Sequence, residues 1–255
     1  MNKDNFKINL GVKMISKRRK GRFDFKQFSI IQENSAMKVG TDGVLLGAWT
    51  NIDPAQRALD IGTGTGLVAL MLAQRHPALE IDGIEIDAPS FSEAKVNAAC
   101  SPWSDRVNII KGKVQDLPDS RHLAYDLIVS NPPYFSAGTL PPAEGRHQAR
   151  HNSRLTPAQL LKAVRDLLKR DGRFSVILPT LEGASFTDLA KNCGFFLSRK
   201  TAFYAKKNKP QERWLIEFTR KPTAQVGLTE LVQYDENGDW STSYKNLTQG
   251  FYLKL

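Results

Sequence analysis

The stretch Leu59-Asp60-Ile61-Gly62-Thr63-Gly64-Thr65-Gly66 decides the fold. Ala58–Ile61 reads as a short apolar strand, and a helical pattern near Leu67–Gln74 follows the glycines. Glycines between a strand and a helix let the backbone approach a ligand closely, at the sheet edge where open α/β folds bind ligands. A dinucleotide fingerprint would read G-x-G-x-x-G, but here the spacing is G-x-G-x-G and position 67 is Leu67. Asp60 stands just before the loop, where a carboxylate repels a pyrophosphate and suits a cationic ligand. Asp60, Gly62, Gly64 and Gly66 are therefore candidates for ligand binding.

Working outward, short apolar strands continue to alternate with helical patterns. Strands are expected at Glu80–Ile86, Val107–Lys111, Tyr125–Ser130 and Phe174–Leu178. Helices are expected from about Ser90 to Ala99, from a Thr156 cap to about Lys169, and from about Ala184 to Cys193. Such alternation argues an α/β fold with a parallel sheet covered on both faces. Leu197–Tyr204 and Trp214–Thr219 have no helix between them, so they are expected to pair antiparallel.

Two further strand ends carry chemistry. Glu85, in Gly83-Ile84-Glu85-Ile86-Asp87, can accept both hydroxyls of a ribose, as the acid about 20 residues on does in nucleotide folds. Asp87 is the alternative, and suits an N-cap. The fourth strand ends in Asn131-Pro132-Pro133-Tyr134. Two prolines remove two backbone donors and stiffen the turn. Carbonyls are left free to accept beside the Asn131 side-chain oxygen, so Asn131 Oδ1 and the Pro132 carbonyl can take the two hydrogens of a planar amine. Tyr134 can stack on the ring that bears it.

The chain has 255 residues, is 41% hydrophobic and carries a net charge of +10. No run approaches the apolar length of a membrane span, and no secretory apolar stretch opens the sequence, so no membrane partner and a cytoplasmic location are expected. Cys100 and Cys193 form no CxxC or His-spaced set, which suits reduced structural thiols. No Cys or carboxylate sits at ligand spacing with His147 and His151, so no metal is expected. The charge is uneven. Residues 1–40 hold ten Lys and Arg against three acids, residues 146–173 eight against two, and residues 199–221 eight against two. Residues 41–145 reverse the balance, with seven bases and thirteen acids. Three basic segments favour a polyanion, nucleic acid before membrane. Residues 1–23 read as a flexible basic arm whose Lys17, Arg18, Arg19 and Lys20 touch phosphates, and residues 24–255 as one catalytic domain. The loop with Arg146, Arg150 and Arg154 leaves a chemistry-bearing strand end and is a further phosphate contact.

Asp60-x-Gly62-x-Gly64-x-Gly66, Glu85 and Asn131-Pro132-Pro133-Tyr134 together resemble the S-adenosylmethionine-dependent methyltransferases that methylate amino groups. The resemblance implies a Rossmann-like seven-strand sheet of order 3-2-1-4-5-7-6, strand 7 antiparallel, with S-adenosylmethionine as cofactor. More narrowly, Phe25-Lys26-Gln27-Phe28, the run Ala36–Trp49 and Leu247-Thr248-Gln249-Gly250-Phe251-Tyr252-Leu253 resemble the tRNA1(Val) (adenine-37-N6)-methyltransferase family. That implies a tRNA partner, methylation of adenine 37 in the anticodon loop, and a monomer. In that family the Lys38–Asp42 segment folds over the cofactor, which adds Lys38, Thr41 and Asp42 to the site. Leu45, Leu46 and Trp49 are expected in the core. One departure stands out. Many adenine-N6 enzymes carry an acid just after strand 3, where this chain has Lys113. Either Asp116 takes over, or backbone groups at Lys113–Val114 recognise the cofactor's adenine.

The alternatives are an adenine-N6 enzyme acting on another RNA or on DNA, a glutamine-N5 protein methyltransferase, and a non-catalytic RNA-binding module. DNA enzymes usually add a target-recognition region, for which there is little room. The glutamine enzymes carry a larger helical domain upstream, whereas fewer than 60 residues precede this glycine loop. The intact Asn131–Tyr134 motif argues against a non-catalytic module.

Overall fold

The computed structural model describes residues 21–133 and 155–254. A hairpin of β1 (Arg22–Asp24) and β2 (Ser29–Ile31) leads into helix α1 (Thr41–Trp49). Then come β3 (Arg57–Ile61), α2 (Leu67–Arg75), β4 (Glu80–Glu85), α3 (Ala88–Ala99), β5 (Val107–Lys111) and β6 (Tyr125–Ser130). After residue 154 follow α4 (Pro157–Leu167), β7 (Leu168–Pro179), α5 (Thr180–Asn192), β8 (Phe196–Lys206), β9 (Arg213–Thr219), β10 (Gly227–Tyr234) and α6 (Thr242–Thr248). Arg22 and Phe23 thus lie in β1, inside the stretch read as an arm.

The main sheet runs β10-β8-β9-β7-β6-β3-β4-β5. Counted from β3 as the first strand, its inner seven have the expected order 3-2-1-4-5-7-6. The seventh, β9, is antiparallel to both neighbours. The sheet has one strand more than expected: β10 adds to the edge, parallel to β8. The sequence gives little sign of β10, because an edge strand exposed over its first four residues needs no apolar run, and Leu231 alone in it is fully buried.

Alternation along the inner strands divides the core in two. Leu127 and Val129 of β6 join the layer of α1, α2 and α6, whereas Ile128 joins the layer of α4 and α5. Leu45, Leu46 and Trp49 are buried as expected. Helix α4 buries Leu160, Leu161, Val164 and Leu167, one stripe of a helix. A reciprocal capping box between Thr156 and Gln159 starts it. It stops at Leu167, two residues short of the expected end, because Leu168 already pairs with Tyr125 in the sheet. Helix α5 begins at Thr180, earlier than Ala184, directly where β7 ends. Cys100 and Cys193 are both free. No helix among the described residues is long and apolar enough to cross a membrane.

Candidate active site

At the end of β3 the chain turns through Gly62 (φ +70°) and Gly64 (φ +58°). Both are left-handed conformations that side chains disfavour, and a Cβ at either would meet no atom within 4 Å. The glycines therefore serve the turn and leave open space beside it. The Gly62 and Thr63 N–H groups donate to the Ile84 carbonyl, at 2.9 and 3.1 Å, folding the loop onto the end of β4. Glu85, next along, is fixed by two backbone donors: Gly64 N–H to Oε2 at 2.9 Å and Asp87 N–H to Oε1 at 2.8 Å. Asp87 caps α3, accepting from Ser90 N at 3.0 Å and Ser90 Oγ at 2.7 Å. Asp60 is buried, with Thr63 Oγ1 donating to its Oδ2 at 2.6 Å. Burial pushes the Asp60 carboxyl up to about 7, and the charge of Glu85 adds to the shift.

The loop opens on a cleft of about 460 Å³. Of the residues expected from sequence, Lys38, Thr41, Asp42, Asp60, Gly62, Gly64 and Asn131 line it. Gly66, Glu85, Lys113 and Val114 lie off this lining. Gly66 caps α2, and Glu85 sits behind Gly64. Val114 is buried at the start of a single 3-10 turn reaching Asp116, which is exposed. Met37, Phe203, Glu212, Arg213 and Gln233 also line the cleft, and none of the five is among the site residues expected from sequence. Local pattern carries no signal for the last four, which arrive from β8, the turn before β9, β9 and β10.

Several of these side chains build the walls. The Lys38 ammonium donates to the Gln32 carbonyl and, at 3.0 Å, to the Glu33 carbonyl, closing its own loop. Asp42, in the first turn of α1, pairs with Arg213 Nε of β9 at 2.9 Å. Helix α3 holds the same wall from behind. Glu93 accepts from Asn34 N at 2.6 Å, Ser35 N at 3.0 Å and Ser35 Oγ. Asn97 binds both backbone groups of Ile31 and donates to the Thr65 carbonyl at 2.9 Å, which ties the hairpin to the glycine loop.

Asn131 reaches the cleft because β6 lies beside β3 with Ser130 opposite Ile61. Ser130 Oγ donates to the Ile61 carbonyl at 2.9 Å and pins the two strand ends together. Asn131 Nδ2 points to Met37 Sδ at 3.9 Å, and among the described residues no donor engages Oδ1. Pro132 is buried and Pro133 exposed. Tyr134, Arg146, Arg150 and Arg154 lie outside the described residues, as do Lys17, Arg18, Arg19 and Lys20.

Buried Asp60, the glycine loop, Glu85 and the Asn131-Pro132-Pro133 turn thus meet at one sheet edge. A family model described as the methyltransferase small domain matches residues 37–192. A solved structure described as a predicted O-methyltransferase, from Agrobacterium tumefaciens, aligns with a TM-score of 0.64 at 17% identity, over 82% of this chain and 96% of that one; it is alike in fold. Two relatives are each described as tRNA1(Val) (adenine(37)-N6)-methyltransferase. That of Bacteroides thetaiotaomicron is 43% identical over 242 residues, 91% of this chain and 98% of the relative. That of Pectobacterium carotovorum is 40% identical over 236 residues, 92% of this chain and 95% of the relative. With identity at this level over nearly the whole of both chains, this chain belongs to the tRNA1(Val) (adenine(37)-N6)-methyltransferase family.

Proposed function

We propose that the protein transfers a methyl group from S-adenosylmethionine to N6 of adenine 37 in tRNA1(Val). The observation that carries this reading is the Ser130–Ile61 junction, which sets the amine-accepting Asn131 beside the Gly62–Gly64 turn. The residues present fit the cofactor. Open space beside Gly62 and Gly64 admits a ligand against the backbone. Asp60 offers a carboxylate to the cationic end, and Glu85 is oriented by two amides with lone pairs left for ribose hydroxyls. Among the described residues, Val114 offers a backbone N–H at the open end of its turn for the cofactor's adenine, in preference to the exposed Asp116.

When bound, S-adenosylmethionine supplies an electrophilic methyl on a sulfonium sulfur. The adenine amine is a poor nucleophile, because its lone pair is delocalised into the ring. Asn131 Oδ1 and the Pro132 carbonyl accept its two hydrogens, draw it toward tetrahedral geometry and stabilise the positive charge that grows on N6. This is electrostatic stabilisation aimed at the transition state. No strong base is needed, since the methylated ammonium loses its proton to water. The target base must leave its stack, and Tyr134 is assigned to stack on it, offsetting roughly 1–3 kcal/mol. Residues 1–20 and the Arg146–Arg154 loop are assigned to RNA phosphates.

The test is methyl transfer to total tRNA from cells lacking the modification, with the methylated nucleotide mapped. Methylation of one adenine beside an anticodon supports the reading. Transfer to a protein glutamine or to DNA with none to tRNA would overturn it.

A further inference from the structure

The eight Lys and Arg between residues 199 and 221 divide into two groups. Five are committed within the fold. Arg199 pairs with Glu217 at 3.2 Å and lies 3.7 Å over the Trp49 ring. Lys200 lies 3.8 Å over the Trp214 ring. Arg213 pairs with Asp42, Arg220 donates to the Arg165 and Leu168 carbonyls, and Lys221 pairs with Asp171. The other three, Lys206, Lys207 and Lys209, are exposed and share the one turn between β8 and β9. Among the described residues no carboxylate lies within 4 Å of their ammonium groups.

Topology places this turn. Since β9 is antiparallel to both β7 and β8, β8 runs the same way as β7, β6 and β3. Its end at Lys206 is therefore on the edge that holds Gly62 and Asn131. On the opposite edge Lys169 pairs with Asp126 and Lys221 with Asp171. The turn is tight, with Lys209 N–H donating to the Lys206 carbonyl at 3.0 Å and Glu212 N–H to the Phe203 carbonyl at 2.9 Å. Glu212 lines both the cleft and a groove lined also by Lys206, Lys209, Pro210 and Tyr234, so the two adjoin at this residue. On the outer side, edge strand β10 ends in the acidic turn of Asp235, Glu236 and Asp239. A polyanion on the lysines is repelled from that side and directed inward. Strand β6 lies two to three strands in, about 12 Å at a spacing of about 4.8 Å.

We infer that the β8–β9 turn is a phosphate-binding shelf for the RNA strand that carries the target adenine, gripping the backbone close to the target rather than on a distant stem. Three cations on a tight turn, with no charged partner among the described residues, keep their attraction for phosphates and release counterions on binding. The inference rests on the proposed function, since it needs an RNA substrate in the cleft.

The test is the triple variant Lys206→Ala, Lys207→Ala, Lys209→Ala. Among the described residues it removes no side-chain hydrogen bond, ion pair or ring contact. Filter binding across a salt series is paired with steady-state kinetics on full-length tRNA and on an isolated anticodon stem–loop. The log–log salt slope should flatten by about two units, at about 0.7 per single-strand phosphate, and the KM for RNA should rise on the order of tenfold at moderate salt. The loss should be equal on both substrates. At saturating RNA, kcat and the KM for S-adenosylmethionine should stay unchanged, and the triple Lys→Arg variant should keep the slope. An unchanged slope, or a loss confined to full-length tRNA, would overturn the shelf. The two readings fail differently. An active wild type whose slope the variant matches removes the shelf alone, whereas a wild type that methylates no tRNA removes the proposed function as well.

Discussion

In the proposed function Asn131 and Asp60 have separate tasks within one cleft, Asn131 toward the target amine and Asp60 toward the cofactor. Asn131 acts where charge appears in the reaction, so Asn131→Ala should lower kcat by about 10²–10³ with a smaller change in RNA affinity. Single-turnover rates with saturating cofactor check this; an unchanged rate would leave the Pro132 carbonyl as the operative acceptor. Asp60 acts on the ground state. Burial raises its folded pKa to about 7, above the ordinary carboxyl value of 3.8. Between those pH values the folded protein keeps a proton that the unfolded chain has released, so this group's contribution to stability falls as pH rises through the window. A bound sulfonium favours the ionised form. Cofactor affinity should therefore rise as pH rises toward about 7 and level off above it, with proton release on binding. Calorimetry in buffers of different ionisation enthalpy measures it, and Asp60→Asn should abolish both effects.

The element that shapes the cleft most is one that does not line it. Helix α3 sets Asn97 against Ile31 of β2 and Glu93 against the segment after the hairpin, from which Met37 and Lys38 reach the site. Burial opposes charge on Glu93, yet its donors, Ser35 and Asn34, hold its carboxyl below the ordinary value. Glu93→Ala leaves those donors unsatisfied and should destabilise the fold by about 2–3 kcal/mol, with a raised KM for S-adenosylmethionine. Glu93→Gln, which keeps an acceptor, should recover much of the loss. Thermal denaturation alongside cofactor titration separates the outcomes: a variant of lower stability but native KM would show that the bracket supports the fold without shaping the site.

For the whole molecule the distribution of free cations matters more than the net charge. Residues 1–20 hold seven Lys and Arg and one acid, and they precede the hairpin strand Arg22–Asp24. Deleting residues 1–20 should therefore leave the fold and the cofactor affinity intact. It should flatten the salt slope of tRNA binding by roughly two to four units without moving the methylated position. Filter binding compares the two proteins, and equal slopes would remove residues 1–20 from the interface.

Sequence alone determined the strand–loop–helix unit at Gly62–Gly66, the antiparallel pairing of β8 with β9, the caps at Asp87 and Thr156, and the Asn131 motif. These are legible because each rests on local chemistry: backbone freedom at glycine, an apolar run too short for a helix, a side chain that bonds three residues onward. Resemblance to a family added the strand order and the Lys38–Asp42 wall. Tertiary structure alone decided the rest. Strand β10 carries almost no apolar pattern because its exposed edge demands none. Phe203, Glu212, Arg213 and Gln233 join the cleft only because β8, β9 and β10 bring them to its edge. The basic segment 199–221 reads as uniform, yet five of its eight cations are consumed by partners as distant in sequence as Asp42 and Trp49. Which charges remain free for a ligand is a property of long-range pairing, and composition cannot encode it.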